Sequence, residues 1–414
     1  MNFELSTELQ AKLAELDEFI DKEIRPLEEA NIQFFDHRRE NARTDWDNDG
    51  VPTPEWMDLI AEMERRADKA GHLRYGLPKS CGGSAASSLE IAVIREHLAA
   101  KGLGLHNDLQ DESSIVGNFP LIPILDAYGT QDQKQYIEGM ISRENHLAFA
   151  LTEPNHGSDA TWLETTARRD GDGWIINGIK RWNSQVYRAA ADLVFARTSG
   201  EPGDAKGITA FIVPMSTPGV EILFNHWTFN MPSDHPEVGF ENVRVPHTAI
   251  LHEEGEGLFV AQRFVHENRI RQAAASAGAA RYCIAQSAQY ARGRKAFGEP
   301  LANKQGIQFP LVELYAECEM VRNFIFKTAS EMGRRDSVDI SDKVAICNFR
   351  ANRLACEAAD RAMQIHGGMG YTRALPFEHI YRHHRRYRIT EGSEEIQMRR
   401  VAQHLFGFGG RTAQ

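Results

Sequence analysis

The sequence predicts a mainly α-helical protein with a β-rich domain at its centre. Three observations indicate this fold class. Apolar residues recur at helical spacing through the first third of the chain, short β-type runs follow, and long stretches rich in Ala, Leu, Arg and Glu close the sequence. The 414 residues are enough for two or three packed units. We therefore predict an N-terminal α-helical domain at 1–146, a middle β-domain at 147–246 and a C-terminal α-helical domain at 247–414.

The first predicted helix lies in the stretch TELQAKLAELDEFIDKEI. Its apolar residues follow at spacings of three and four, as on one helical face, and they are Leu9, Leu13, Leu16, Phe19 and Ile20. Charges, Asp-Gly and two prolines then break the pattern in FFDHRRENARTDWDNDGVPTPEW. This break predicts a surface loop over about 33–55, before a second helix around Trp56 to Ala70.

The middle of the chain has the pattern of strands. Its apolar runs are GWIINGIKRW, ADLVFART, ITAFIVP and VEILF, and Gly, Pro and Asp separate them. Helical stretches return after VRVPHTAILHEEGEG, most clearly in SAGAARYCIAQSAQYARGRKAF and ISDKVAICNFRANRLACEAADRAMQIHG. No internal repeat or low-complexity tail interrupts this order.

Composition narrows the classes of partner. A formal net charge of -11 and a pI near 5.8 argue against nucleic-acid binding, because there is no excess of Lys and Arg to displace phosphate counterions. The five cysteines are scattered and contain no C-x-x-C pair, which favours a reducing compartment. The N-terminal residues lack a signal-peptide pattern and no long apolar run occurs. We expect a soluble protein with no membrane insertion.

The stretch FALTEPNHGSDATW lies where the helices give way to strands. Thr152 and Ser158 supply hydroxyl groups, and Gly157 allows close approach of the backbone, so this strand entrance can bind the polar edge of a cofactor or a phosphate. The alternative is a turn in which Asn, Gly, Ser and Asp serve only the backbone geometry. Composition alone favours the turn.

The stretch RRYRITEGSEEIQMRR places Glu391 between a basic run and a glycine. One interpretation is the start of a helix, in which Ser393 begins the helix and Glu394 and Glu395 lie in a first turn that favours acids. The other is a chemical role for the Glu391 carboxylate. The segment by itself favours the helix start.

Four motifs occur in order along the chain: T-E-P-x-x-G-S-D from Thr152, R-K-x-F-G from Arg294, Q-I-x-G-G-x-G-Y from Gln364 and E-G-S-x-E-I-Q from Glu391. With them the sequence resembles the acyl-CoA dehydrogenase family of flavoproteins over nearly its whole length. The resemblance implies an acyl-CoA dehydrogenase-like fold, in which the middle domain is β-barrel-like and the C-terminal domain is a four-helix bundle. It also implies an FAD-dependent homodimer or homotetramer of fatty acid β-oxidation.

By this resemblance Glu391 is the catalytic base. It removes the α-proton of an acyl-CoA thioester while a hydride leaves the β-carbon for flavin N5, which gives the trans-2-enoyl-CoA. Electrons then pass to an electron-transferring flavoprotein. Some family branches carry the base on an earlier helix, but the matching position is Asn268, which is no base, and Glu267 beside it points differently. The implied substrate contacts are Ser158, Arg269 and Gly392.

The resemblance also implies which residues bind FAD. Those of the subunit's own strand region are Phe149, Leu151, Thr152, Ser158, Trp182 and Ser184, the last in place of the family's usual threonine. Those that reach FAD across a subunit interface are Arg294, Phe297, Gln305, Gln364, Gly367 and Gly368. Ser393 and Glu395 match positions on the adenosine side.

Two stretches depart from the family pattern. Asn155 and His156 stand where the family often has Gly and a small residue, so the loop beside the flavin can differ in shape. The run YRHHRRYR, Tyr381 to Arg388, is more basic than usual. Its arginines either lower the pKa of Glu391 and orient an acidic substrate, or form ordinary salt bridges with the abundant acids. A charge cluster of this kind favours the salt bridges.

His379 and His383 are four residues apart, the spacing of two metal ligands on one helical face. No H-E-x-x-H pattern or further ligand accompanies them, so we predict no metal.

Two other functions remain open beside the dehydrogenase. The fold alone is compatible with a flavin oxidase or monooxygenase, and with a non-catalytic assembly homologue. The intact E-G-S-x-E-I-Q context favours the dehydrogenase, in the cytoplasm or the mitochondrial matrix.

Overall fold

A computed structural model of the chain describes residues 4–335 and 337–408. Residues 1–3 and 336 and 409–414, which fall in the predicted first and last domains, lie outside the described residues. Helices precede and follow a curled seven-stranded sheet, so the predicted order of helices, strands and helices is confirmed. Among the described helices, none is long and apolar enough to cross a membrane.

The helices before the sheet are α1 Thr7–Phe19, α2 Arg25–Ala30, α3 Arg39–Arg43, α4 Pro54–Lys69, α5 Ser88–Ala99, α6 Ile122–Tyr128 and α7 Tyr136–Ser142. The strands are β1 Thr44–Asp45, β2 Val51–Pro52, β3 His146–Ala150, β4 Thr166–Asp170, β5 Gly173–Arg181, β6 Ala189–Arg197, β7 Ile208–Pro214, β8 Val220–Asn225, β9 Pro236–Pro246, β10 Lys295–Ala296 and β11 Glu299–Pro300. The later helices are α8 Gly257–Gly293, α9 Gln305–Glu331, α10 Ser341–His366, α11 Phe377–Arg386 and α12 Glu394–Phe406.

The N-terminal helix forms as its apolar periodicity predicts. Ser6 caps α1 because its hydroxyl oxygen accepts a hydrogen bond from the Leu9 backbone N–H at 3.2 Å. Leu9, Leu16 and Phe19 are buried on the predicted face. A π-helical turn over Ile20–Ile24 then joins α1 to α2, directly before a proline that cannot donate a backbone hydrogen bond.

The surface loop predicted over about 33–55 is wrong in part. The segment contains α3 and the β1–β2 hairpin, and the charged side chains of α3 are buried. Arg43 pairs with Asp108 at 3.1 Å, and Arg39 pairs with Glu378 from the far end of the chain. These long-range ion pairs compensate the burial of charges that, in the sequence alone, indicate exposure.

The large sheet has the strand order β3-β6-β4-β5-β9-β8, and β7 also pairs with β6, off this path. Most pairs are antiparallel, whereas β3 and β4 run parallel to β6. The sheet is curled rather than flat, as the predicted barrel-like domain requires, and β6 and β7 are almost entirely buried. This arrangement brings the ends of β3 and β5 together.

The C-terminal helices form a bundle around α8, which is 37 residues long. Helix α8 packs on α10 and also on α5 of the N-terminal region through small residues, including Ala274, Ala277 and Gly278. The contact at Gly278 is so close that an added Cβ would lie 2.3 Å from the Glu96 carbonyl oxygen and 2.8 Å from the Ala99 Cβ. A side chain there would push the two helices apart.

We expect Gly278→Ala to lower the free energy of unfolding by about 1–3 kcal/mol, because the new methyl group overpacks the α5–α8 contact. Gly293→Ala is the matched control on the same helix, since no atom lies within 4 Å of its added Cβ. That variant should stay within about 1 kcal/mol of the parent protein. Chemical denaturation of both variants measures the difference, and equal stabilities would contradict the close contact.

Candidate active site

Glu391 lies in the turn between α11 and α12, close to α8. Its backbone has φ 56° and that of Gly392 has φ 86°, so two successive residues adopt the left-handed region. Such a conformation is uncommon for a glutamate and is typical of a functional turn. Glycine is favoured at 392 because φ 86° strains a residue with a side chain, and an added Cβ would also lie 2.9 Å from Nη2 of Arg269.

Arg269 holds this turn in place. Its Nε and Nη2 both donate to the backbone carbonyl oxygen of Glu391, at 2.8 and 2.6 Å. The Gly392 carbonyl accepts a hydrogen bond from Gln397 Nε2 at 2.9 Å, and Asn348 Nδ2 donates to the Arg269 carbonyl at 2.8 Å. The turn is therefore fixed from α8, α10 and α12 at once.

Among the residues that the structure describes, the Glu391 carboxylate has one side-chain hydrogen-bond partner. Asn268 Nδ2 donates to its Oε1 at 3.2 Å. Burial raises the pKa of Glu391 to about 7, although the positive charge of Arg269, the Asn268 hydrogen bond and the charge of Arg386 act in the opposite direction. A carboxylate with this pKa is suited to general base catalysis near neutral pH.

The basic run before Glu391 is mostly neutralised within the chain. Arg382 pairs with Glu378, Arg386 with Glu112, and Arg388 with Glu394 at 2.9 Å. The salt-bridge interpretation, made for Arg385, Arg386 and Arg388, is confirmed for Arg386 and Arg388. The predicted influence on Glu391 survives only for Arg386, as a minor cause that lowers its pKa.

The T-E-P-x-x-G-S-D loop follows β3, and Glu153, the second residue of this motif, anchors it. Glu153 is buried and accepts hydrogen bonds from Lys180 Nζ at 2.8 Å and from the Thr165 backbone N–H at 2.9 Å. Lys180 is fully buried on β5. In the sequence, its one distinguishing feature is a lysine within a mostly apolar strand. Ser158 is exposed and Thr152 is half-buried.

The W-N-S segment follows β5 and lies beside this loop, because the Arg181 N–H donates to the Thr152 carbonyl at 2.8 Å. Trp182 has φ 68° and a side chain 44% exposed, and Asn183 is buried against Asp192. The Ser184 hydroxyl lies 2.7 Å from His235 Nδ1. The structure thus brings the predicted Thr152, Trp182 and Ser184 together at one edge of the sheet.

The remaining predicted cofactor residues lie elsewhere on the subunit. Phe149 points into the core, where its ring stacks on Phe264 at 4.2 Å, and Leu151 contributes its carbonyl to Lys180. Contact between the Tyr290 and His366 rings, 4.3 Å apart, joins the ends of α8 and α10. Residues of these two ends and of the start of α9 are exposed, and they are Arg294, Phe297, Gln305, Gln364, Gly367 and Gly368.

Ser393 and Glu395 belong to the start of α12, where Ser393 is the N-cap residue and Glu395 is exposed. The helix start inferred from the sequence is thus confirmed, and it lies immediately after the left-handed turn of Glu391. The helix start leaves a chemical role for Glu391 open, since the acids of the first turn are Glu394 and Glu395, not Glu391.

These surfaces suit a large flat cofactor such as FAD. The aromatic side chains of Trp182 and Phe297 stand open, the latter 99% exposed at φ 53°. The space beside Gly367 and Gly368 is also open, because no atom lies within 4 Å of a Cβ added to either glycine. Open rings and bare backbone fit a ring system and a diphosphate.

A narrow cavity of about 40 Å³ lies beside Asn268, and its lining includes Arg95, Arg271 and Gln272. A larger cavity of about 650 Å³ also reaches Arg271 and is lined by Arg263 and Glu267 as well. Glu267 therefore faces a different space from Asn268, as the helical geometry predicts. Burial raises the pKa of Glu267, and it makes no contact with Glu391 among the described residues.

His379 and His383 are buried on α11, and burial holds the pKa of both imidazoles well below the usual value. Across residues 4–335 and 337–408 no group of three or more His, Cys, Asp or Glu side chains is arranged to hold a metal ion.

The structure thus has a curled sheet between two helical regions and a half-buried carboxylate on a left-handed turn. Comparison with known proteins identifies the class of enzyme that has this fold. Residues 148–243 match the acyl-CoA dehydrogenase middle domain, and residues 255–406 match the acyl-CoA dehydrogenase C-terminal domain. The chain belongs to the acyl-CoA dehydrogenase family.

Individual relatives agree with this assignment. The mitochondrial short-chain specific acyl-CoA dehydrogenase of Bos taurus is 33% identical over 83% of this chain and 82% of its own length. A putative acyl-CoA dehydrogenase from Mycobacterium abscessus superposes with a TM-score of 0.84 at 27% identity, covering 98% of this chain and 99% of that one. Butyryl-CoA dehydrogenase from Megasphaera elsdenii gives a TM-score of 0.78 at 26% identity, covering 98% and 100%. The protein is thus an enzyme of this class, whose members are FAD-dependent.

We expect Asn268→Leu to move the acid limb of the kcat/KM profile to higher pH. The hydrogen bond from Asn268 favours the ionised form of Glu391, and a hydrogen bond to a charged group is worth about 1.5–3 kcal/mol, so the limb should move by about one to two pH units. In the parent protein kcat/KM should fall as the pH drops below about 7, because the base becomes protonated. An unchanged profile in the variant would contradict this role of Asn268.

Proposed function

We propose that the protein catalyses α,β-dehydrogenation of an acyl-CoA thioester to the trans-2-enoyl-CoA, with Glu391 as the base. The observation that carries the proposal is the left-handed Glu391–Gly392 turn, whose carboxylate has a pKa raised to about 7. Such a group accepts a proton at neutral pH and is still ionised in a large share of molecules before substrate arrives. The motif that contains it supports the same role.

The residues around Glu391 have separate tasks in this reaction. Arg269 binds the backbone carbonyl, which leaves the carboxylate oxygens free to approach the α-carbon. Asn268 contacts only Oε1, so it orients the carboxylate and stabilises its charge. The backbone N–H near Glu391, with Gly392, would polarise the thioester oxygen and make the α-proton more acidic. Bound FAD supplies the acceptor for the β-hydride.

We propose that two groups of residues hold FAD. The strand-edge group, Phe149, Leu151, Thr152, Ser158, Trp182 and Ser184, would contact the flavin and its neighbourhood. The second group, Arg294, Phe297, Gln305, Gln364, Gly367 and Gly368, would reach the FAD of a neighbouring subunit, and Ser393 and Glu395 would lie on its adenosine side. An arginine and an aromatic ring this exposed are suited to bind a partner's ligand.

An oligomer also suits the surface of α9. Four large apolar side chains on this helix are between 57% and 67% exposed, and they are Phe309, Val312, Tyr315 and Met320. A subunit would expose this apolar face unless another copy covers it. We propose a homodimer or homotetramer, with an electron-transferring flavoprotein as the electron acceptor.

The thiol groups support a reducing compartment. All five cysteines are free and buried, and burial raises the pKa of each thiol. Inert thiols of this kind need no oxidising environment. The cytoplasm or the mitochondrial matrix is the proposed location.

We expect Glu391→Gln to keep FAD bound while reduction of the flavin by substrate falls by about 10²–10⁴-fold, since the amide cannot accept the α-proton. The measurement is anaerobic bleaching of the yellow flavin band with short-chain, long-chain, branched and ring-bearing acyl-CoAs. Glu29→Gln, which changes an exposed carboxylate in α2, is the control and should match the parent protein. A Glu391→Gln variant that is bleached at the parent rate would remove Glu391 from the mechanism.

A complementation experiment tests the shared site. The Arg294→Glu variant should lose bound FAD, and the Glu391→Gln variant should keep FAD but lose reduction of the flavin by substrate. In a mixed oligomer of these two chains, one site combines an intact Glu391 with an intact Arg294 from different subunits. Co-expression should therefore restore activity, whereas Arg294 acting within its own subunit would leave every mixed site inactive. Mass measurement of the mixed oligomer confirms that both chains are present.

A further inference from the structure

Two buried guanidinium groups line the narrow cavity beside the base. Arg95, from α5, is only 5% exposed; its Nη2 donates to the backbone carbonyls of Val116 at 2.7 Å and Gly117 at 3.0 Å. Arg271, from α8, donates through Nη1 to Asn118 Oδ1 at 2.9 Å. Within the described residues, the Nε of each arginine is buried without a hydrogen-bond partner. Buried donors of this kind indicate a ligand with acceptor atoms.

The charges around the cavity are unevenly matched. Its two carboxylates are already paired, Asp108 with Arg43 at 3.1 Å and Glu112 with Arg386. Arg95 has no carboxylate partner among the described residues, and burial together with the charge of Arg271 lowers its pKa to about 9.

Arg271 has only a more distant carboxylate near it, that of Glu267, which influences its pKa without forming an ion pair among the described residues. The imidazole of His383 also lines the cavity and adds no charge, because burial holds its pKa well below the usual value. The charge of Arg95 therefore has no carboxylate beside it, and the charge of Arg271 is offset only in part by Glu267, so the cavity favours a negative group.

The cavity begins beside Asn268, the residue that contacts the Glu391 carboxylate, and extends along α8. Asn268, Arg271 and Gln272 are three and four residues apart and share one face of α8. Asn268 contacts the base, and Arg271 lies one helical turn further along, roughly 4.5 Å along the axis. A volume of about 40 Å³ takes roughly three water-sized groups, which is the size of a carboxylate.

We propose that the acyl group of the substrate ends in a carboxylate, which binds between Arg95 and Arg271. The substrate would then be the CoA monothioester of a short dicarboxylic acid. This inference rests on the proposed function, because it takes Glu391 as the point where the α-carbon is held. The rival substrate is a long or bulky neutral acyl group that extends into the larger cavity at Arg271.

The test is a matched panel given to the FAD-loaded protein under anaerobic conditions: succinyl-, glutaryl- and adipyl-CoA against butyryl-, pentanoyl-, hexanoyl- and dodecanoyl-CoA. We expect the best carboxyacyl thioester to be oxidised with a kcat/KM at least tenfold above its neutral partner of the same chain length. In Arg271→Gln we expect a loss of about 100-fold for the carboxyacyl thioester and less than threefold for the neutral one. Arg271→Lys should restore part of the loss, and Arg65→Gln, at an exposed site on α4, should change neither.

Several outcomes would overturn the proposal. If the parent protein prefers hexanoyl-CoA or dodecanoyl-CoA, this result alone overturns the proposal. If Arg271→Gln lowers kcat/KM equally for carboxyacyl and neutral thioesters, the arginine has only a structural role. A thermal melt of the variant checks its folding. If no thioester bleaches the flavin, the proposed function fails, and calorimetry still decides the anion site. If glutaryl-CoA then binds the parent protein no more tightly than it binds the Arg271→Gln variant, the proposed carboxylate site is overturned.

Discussion

The bond between the Arg269 guanidinium and the backbone carbonyl of Glu391 is the contact on which the geometry of the site depends. It holds Glu391 in a left-handed backbone conformation, which a flexible turn would not maintain. Because Arg269 binds the main chain and not the carboxylate, the site gains a fixed position for the base without a strong ion pair to it. A direct ion pair would lower the pKa of Glu391 well below neutrality and weaken it as a base.

The neighbour of Arg269 completes this balance. Asn268 is neutral, so it donates a hydrogen bond to the carboxylate and adds no charge. A second carboxylate at this position would repel Glu391, and each would raise the pKa of the other. The amide at 268 is therefore compatible with a base at 391, which explains why one chain carries its carboxylate at only one of the two positions.

Local patterns predicted most of the elements, and short motifs singled out Glu391 as the candidate base. The helix from Thr7 and the helix near Trp56 follow from apolar spacing alone. The buried charges of α3 could not be predicted, because their partners, such as Glu378, lie hundreds of residues away. The same limit applies to Arg95 and Arg271, which meet only once α5 packs on α8. Sequence periodicity indicates which side chains face inward, but it does not predict which distant charged residue each of them will contact.

Helix α8 links these features mechanically. Gly278 sets its distance from α5, Asn268 and Arg269 hold the proposed base Glu391, Arg271 lines the proposed acyl cavity, and Arg294 follows its last turn. Within one continuous helix these groups keep fixed spacings, because each residue adds a rise of about 1.5 Å. A change that bends or shifts α8 would therefore disturb Glu391, the cavity at Arg271 and the proposed FAD contact of a neighbouring subunit together. The close small-residue packing along α8 thus supports the geometry of the proposed site, although these small residues lie away from the Glu391 carboxylate.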